Sequence, residues 1–171
     1  DVATGGTEEI YRITSNTWVD LVPGVPQWWE SKLLTVQQDN DTFRLFVNGK
    51  PFSPQGLQIR RVVGADKHGV VVLASTTPID INVVRVKTDG TIEVVVSGEG
   101  VSDASLGSEV LVITTSTMSG SKSTVLPGNH DIVSHVEEPI VKPDPTFHVV
   151  GRRDLNVALL MPEGHQDSVL P

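Results

Sequence analysis

The chain contains no cysteine in its 171 residues, which excludes disulfides, thiolate metal sites and cysteine nucleophiles. A cysteine-free chain fits a reducing compartment, and the expectation is a cytoplasmic protein. Cations are also scarce: 13 Lys and Arg face 21 Asp and Glu, for a net charge of −8. Phosphate binding needs clustered Lys and Arg, so nucleic acid is not an expected partner. No apolar run approaches the roughly 20 residues that a membrane helix needs, and no membrane partner is expected. Convincing amphipathic helices are lacking as well. Hydrophobic residues nevertheless make up 38% and charged residues 20%. That balance belongs to a folded chain rather than a disordered one, and the length suffices for one domain with a sizeable core. The chain begins at Asp1 without Met or a signal-peptide pattern, and stops at Leu170-Pro171 after a strand-like run. The expectation is a piece of a longer protein.

What is present is strand-and-turn grammar. Val, Ile, Thr and Leu gather in short runs bounded by Gly, Pro, Asn and Asp. Hairpin-turn pairs recur at Asn48-Gly49, Asp89-Gly90 and Gly128-Asn129, a period of about 40 residues. The runs between them fall into units of four. One unit reads Val25 to Trp29, Lys32 to Gln37, Thr42 to Val47 and Pro51 to Ser53. The next reads Leu57 to Val63, Gly69 to Ser75, Ile81 to Lys87 and Thr91 to Val96. The third reads Val101 to Ser105, Glu109 to Thr115, Lys122 to Leu126 and Ile132 to His135, with a loop-like stretch from Ser116 to Ser123. Half a unit, Glu9 to Ile13 and Thr17 to Val22, precedes them.

A four-stranded unit with two apolar faces cannot bury either face alone; stacking on its neighbours supplies the missing partner. The expected fold is all-β: a partial β-propeller of about three and a half four-stranded antiparallel blades. It divides into a half blade over 9–22 and blades over 25–53, 57–96 and 101–135, the whole propeller part spanning 1–136. The second strand of the middle unit, Gly69 to Ser75, is nearly all apolar, as expected of an interior strand. Asn-Gly and Asp-Gly suit two-residue hairpins, whose type I′ turns need positive φ at both central positions.

Residues 137–171 differ in texture. Glu137 to Pro145 holds three prolines and reads as a stiff extended connector. Phe147 to Gly151 and Leu155 to Met161 read as a hairpin turned over Gly151 to Asp154. Pro162 to Ser168 is polar loop, and Val169-Leu170 reads as the start of another strand.

Five stretches carry a resemblance: WVDLVPGVPQWW (Trp18 to Trp29), GLQIRRVVG (Gly56 to Gly64), ASTTPIDINVVRV (Ala74 to Val86), IVSHVEEP (Ile132 to Pro139) and RDLNVALLMPEG (Arg153 to Gly164). In this order they resemble the later part of the propeller of bacterial dipeptidyl peptidase IV-like serine peptidases, of the prolyl oligopeptidase clan. The last stretch is similar to the segment where such enzymes leave the propeller for an α/β-hydrolase domain. The resemblance implies a parent enzyme that releases N-terminal dipeptides, often after proline or alanine. It implies as partners the parent's own hydrolase domain and peptide substrates. In that family the propeller caps the active site, and acidic side chains hold the substrate's amine. The family's glutamate pair sits in a Trp-containing segment upstream of the matched region, so that role is not carried over to Glu8-Glu9 or Glu137-Glu138.

Each chemically suggestive group has a plainer reading beside it. The nucleophile elbow Gly-x-Ser-x-Gly is absent. Its nearest approach, Gly100-Val101-Ser102-Asp103-Ala104, lacks the last glycine and falls in a strand, so no catalytic residue is expected. His130 and His135 lack the helical spacing of a zinc pair and read as ordinary turn and surface residues. Asp39-Asn40-Asp41 would need Gly and Glu where Arg44 and Lys50 stand to be a calcium loop, and reads as a hairpin turn. No metal or cofactor is expected. Asn40-Asp41-Thr42 matches the glycosylation pattern, with nothing else to suggest secretion. Of Trp28 and Trp29, neighbours that face opposite ways, one at most belongs in the core. Arg60 and Arg61 follow the same logic, one towards a central channel and the other towards the next blade; they are the candidate substrate contacts.

The sequence therefore points to a non-catalytic, substrate-gating propeller fragment of a peptidase. The alternative is a non-enzymatic β-propeller or repeat module that binds proteins. A parent gene continuing into a strand and a Gly-x-Ser-x-Gly elbow favours the first; further blades or an end favour the second. The first and last blades of an unclosed ring expose apolar faces and edges, so self-association is also expected.

Overall fold

The computed structural model describes residues 2–98, 100–137, 140–141 and 143–161. Among them no helix forms, and the strands build three four-stranded sheets and one hairpin, all antiparallel within themselves. The first sheet runs β1 (Gln27–Trp29), β2 (Lys32–Asp39), β3 (Thr42–Val47) and β4 (Lys50–Pro51) in sequence order. The second runs β5 (Gln58–Asp66), β6 (Gly69–Ser75), β7 (Asn82–Lys87) and β8 (Ile92–Val96), also in order. The third runs β9 (Val101–Gly107), β10 (Val110–Thr117), β11 (Gly120–Leu126) and β12 (His130–Ile132). The hairpin is β13 (Thr146–Val150) with β14 (Leu155–Leu159).

The sheets stack through alternation along β6. Val70, Val72 and Ala74 join a core with Leu34, Val36 and Leu45 of the first sheet. The intervening Val71 and Leu73 join a second core with Ala104, Leu111 and Ile113 of the third. Successive strand residues point to opposite faces, so one strand serves two interfaces and is apolar on both. Strand β5 adapts to the same demand with two bulges, between Ile59 and Arg61 and between Val62 and Gly64. The extra residue at Arg60 lets Ile59 and Val62 both face the first sheet although three positions apart. A short parallel bridge, Ile81 to Val101, also ties the second sheet to the third. Four-stranded meanders stacked face to face without closing are an arc of β-propeller.

Turn chemistry explains the registers. Asn40 and Asp41 (φ 48° and 61°) join β2 to β3, and Asn48-Gly49 (φ 49° and 74°) joins β3 to β4. Both are the two-residue primed turns that need positive φ twice. At Asp89-Gly90 the structure differs from the expected two-residue turn. Only Gly90 has positive φ. Its N–H donates to the Lys87 carbonyl (2.9 Å), while the Lys87 N–H donates to the Thr91 carbonyl (2.8 Å). The Asp89 carboxylate accepts from the Thr91 N–H at 2.9 Å. This local bond favours a three-residue loop with the glycine at the left-handed bulge position.

Two further expectations are corrected. Ser116 to Ser123 is not loop: β10 and β11 continue in register to Thr117 and Gly120, around a tight turn at Met118-Ser119. Hydroxyl pairs across the strands, Thr114 with Ser123 and Ser116 with Ser121 (each 2.8 Å), take the place of apolar contacts. The expected half blade over 9–22 forms no strand. A strand exists through its ladder, and among the described residues no ladder forms with these runs, although Val22 packs against the first core. The expected loop over Pro162 to Ser168 and the strand at Val169-Leu170 lie outside the described residues.

The chain enters the first sheet through a contact that only glycine permits. The Val62 N–H donates to the Pro23 carbonyl at 2.9 Å. Gly24 follows with φ 88°, and a Cβ there would stand 1.9 Å from the Val62 carbonyl oxygen. Gly49 has a similar φ of 74° but open space around it. Gly24→Ala is expected to lower stability by roughly 3 kcal/mol or more, combining strain with displacement of the Pro23 contact, and Gly49→Ala by about 1 kcal/mol. Urea denaturation midpoints of the two variants check this ordering.

Candidate functional site

The chemistry-bearing side chains cluster where sheets meet. Trp29 is 5% exposed and Trp28 60%, the opposite-facing pair that strand alternation requires. The Trp29 ring packs at 5.9 Å from Phe52 and carries Lys32 Nζ 4.6 Å above its centroid. Its indole N–H donates to the Asp66 carbonyl at 2.9 Å, linking first sheet to second. Asp66 then turns its carboxylate to β7, where Arg85 Nη1 donates at 2.5 Å. Their side chains are 8% and 16% exposed. The His68 N–H donates to the same carboxylate oxygen at 2.8 Å. Burial pushes the Asp66 pKa up, but the Arg85 hydrogen bond and charge, with the His68 N–H, together hold it below the ordinary carboxylate value.

Arg60 and Arg61 part company at the first β5 bulge. The Arg61 guanidinium pairs with Asp103 at 2.9 Å, reaching the third sheet. Arg60 is exposed, its Nε donating to Ser75 Oγ at 3.2 Å, and that hydroxyl donates to the Asp80 carbonyl at 2.7 Å. Arg60 is thus held by its inner nitrogen at the bulge, with its outer end at the surface. Arg44 is fully employed in a cap: it donates to Asp39 at 2.5 Å and to the Ser53 carbonyl at 3.0 Å. Asp39 to Asp41 therefore serves a turn, and the Asp39 carboxylate is taken by Arg44.

The other sequence candidates have structural surroundings. Ser102 is buried with its hydroxyl 2.9 Å from that of Thr115. His130 and His135 are exposed, and no group of three or more His, Asp or Glu is placed to hold a metal among the described residues. Between β8 and the third sheet lies a cleft of about 210 Å³, walled by Val95, Val96, Ile113 and Leu126, with Lys122 and Thr124 at its rim. Lys122 is tied to Asp131 at 3.0 Å. Asp131 sits below the usual carboxylate range because Lys122 and Thr124 both hydrogen-bond it.

Sequence reasoning missed the Trp29–Asp66–Arg85 link and this cleft. A signal for the first was there: Arg85 interrupts the buried run Val83-Val84-Arg85-Val86, and a charge in such a strand requires a partner. Nothing in the sequence marked Asp66 as that partner, since the pairing depends on β6 bringing β5 and β7 into one sheet.

The fold defines the class: an all-β, propeller-like arc of stacked antiparallel sheets. The sequence matches no described family and no curated protein. Among solved structures it is similar to dipeptidyl peptidase 4 of Porphyromonas gingivalis, with a TM-score of 0.56 and 14% identity, over 75% of this chain and 22% of that one. The chain therefore spans under a quarter of that enzyme's length, and the likeness is one of fold.

Asp66→Asn removes one partner of a buried pair and leaves the Arg85 charge uncompensated, which is expected to cost on the order of 3 kcal/mol. The sign with pH follows from the lowered Asp66 pKa. Its contribution is present above the unfolded-state value near 4 and is lost as pH falls through the folded value. Urea titrations from neutral pH downward should show wild-type stability falling towards that of Asp66→Asn at acid pH.

Proposed function

We propose that this chain is a propeller segment of a dipeptidyl peptidase IV-like serine peptidase, and that it gates peptide access to a hydrolase domain elsewhere in the parent protein. The observation that carries this reading is the likeness of its stacked sheets to part of the Porphyromonas gingivalis enzyme. The five sequence stretches, in the order that the resemblance expects, support it from a separate direction. In this reading the segment contributes shape and fixed charge, and the chemistry is done by groups outside it. Arg60 is the proposed contact for a peptide, because it reaches the surface from the first strand of a sheet while Arg61 is committed to Asp103.

The test is to express the parent gene in full beside this 171-residue chain and to assay both on a Gly-Pro chromogenic amide. The full-length protein is expected to release the chromophore and to lose activity with a serine-reactive fluorophosphonate. This chain should be inactive. Arg60→Ala in the full-length protein should raise KM several-fold with little change in kcat. A full-length protein with no activity and no fluorophosphonate-labelled serine would overturn the peptidase reading in favour of an interaction module. Unchanged KM in Arg60→Ala would remove that residue from the gate.

A further inference from the structure

Strands β5 and β9 are the first strands of the second and third sheets, and matching positions on them meet across the seam between those sheets. Arg61 pairs with Asp103 at 2.9 Å and Lys67 pairs with Glu109, each across 42 residues of chain. Midway between the two pairs, Leu106 lies against Gly64 at the same offset. A Cβ on that glycine would stand 3.2 Å from Leu106 Cδ2. One line of contacts therefore runs along the seam, with a leucine seated on bare backbone and an ion pair to either side of it.

The rest of this seam is thin. The third sheet's fully buried share of its core is Ala104, Leu111 and Ile113. The first sheet brings Trp29, Leu34, Val36 and Leu45 to the other seam. On the face that carries Ala104 and Ile113, the next positions along the strands are Ser102 and Thr115. Their hydroxyls pair with each other at 2.9 Å instead of packing on the second sheet. Further out, the cleft of about 210 Å³ separates β8 from the third sheet, so apolar contact ends before the outer edge.

The two seams also differ in charge. The first is bridged by neutral groups: the Trp29 indole on the Asp66 carbonyl, the Phe43 N–H on Gln58 Oε1 at 3.0 Å, and the Val62 N–H on the Pro23 carbonyl. Among the described residues no ion pair crosses it. The third sheet carries Asp103, Glu109 and Asp131 against Lys122 alone, and so is acidic where β5 presents Arg61 and Lys67. The four side chains of the two pairs are between 40% and 64% exposed, within reach of dissolved ions. Exposed pairs contribute little to a fold as a whole. Here they act on a seam with a small apolar part, and salt screens them without touching the first seam.

We propose that the Arg61–Asp103 and Lys67–Glu109 pairs are a salt-releasable latch: rising ionic strength frees the third sheet from β5 while the first and second sheets stay joined. A freed sheet cannot bury its apolar face alone, so its ladder opens and its amides exchange. The opened form uncovers Val71 and Leu73 of β6 and Val83 of β7, which share the core with the third sheet. Strand β6 keeps its ladders to β5 and β7, so its own amides stay protected. The latch rests on the fold alone and is independent of the peptidase reading.

Hydrogen exchange of the 171-residue chain at neutral pH tests this in about 0.01 M and about 1 M sodium chloride, between which the screening length falls from roughly 30 Å to roughly 3 Å. The amides of β9 and β10 are expected to exchange several-fold faster in the higher salt, and those of β2 and β6 no faster. Asp103→Asn combined with Glu109→Gln should exchange fast in β9 and β10 at both salt levels, since no latch is left to screen. Leu106→Ala loosens the same seam without removing charge, so it should exchange faster at both levels and keep the salt response. Slow β2 and β6 amides show that each variant retains the rest of its fold. Third-sheet amides indifferent to salt, a double variant with the wild-type response, a Leu106→Ala variant without it, or β2 and β6 quickening along with β9 and β10 would each overturn the proposal.

Discussion

The fold turns on a strand that has no exposed side. From Gly69 to Ser75 every residue of β6 is buried, and its side chains alternate between two separate cores. Each of its large apolar side chains contributes on the order of 1.5–3 kcal/mol by leaving water, but only if a sheet lies on each face. The first and third sheets are therefore conditions of the second. The β5 bulges, the close approach at Gly24 and the Asp66–Arg85 pair all serve this arrangement. Each lets neighbouring backbones or charges meet where flat, regular strands would leave a gap or an unpaired group.

The same constraint explains why the suggestive side chains do structural work. Ser102, Trp29, Arg44 and Arg61 all lie on strands, and each spends its polar group on a neighbouring strand, turn or sheet. Arg60 differs because a bulge takes it out of the alternation and leaves its outer end at the surface. That is the physical reason to look there for a contact with something outside the chain. A stacked arc of this kind offers rigidity and a fixed shape.

Much of the architecture was legible because burial leaves a period in the sequence. The apolar run of β6, the opposite-facing Trp28 and Trp29, and the turns at Asp39 to Asp41 and Asn48-Gly49 follow directly from alternation and positive-φ chemistry. Where polar side chains replaced apolar packing, the reading failed. The hydroxyl pairs of β10 and β11 made a strand look like a loop. At Asp89 a side-chain bond lengthened a turn whose two central residues looked decisive. The runs over 9–22 have strand composition but pair with no strand among the described residues, and composition carries no information about pairing partners. The Asp66–Arg85 pair was invisible for a related reason: 19 residues apart, its members meet only after β5, β6 and β7 have formed.

Native-state hydrogen exchange measures the central claim most directly, because it ranks segments by the free energy needed to open them. The account predicts that the β6 amides are the slowest of the chain and exchange only through global unfolding. The amides of β5 and β7 should follow closely, and those of residues 9–22 should exchange fastest. A β6 that exchanges as readily as the third sheet's outer strand, or that opens without the first and third sheets, would contradict it.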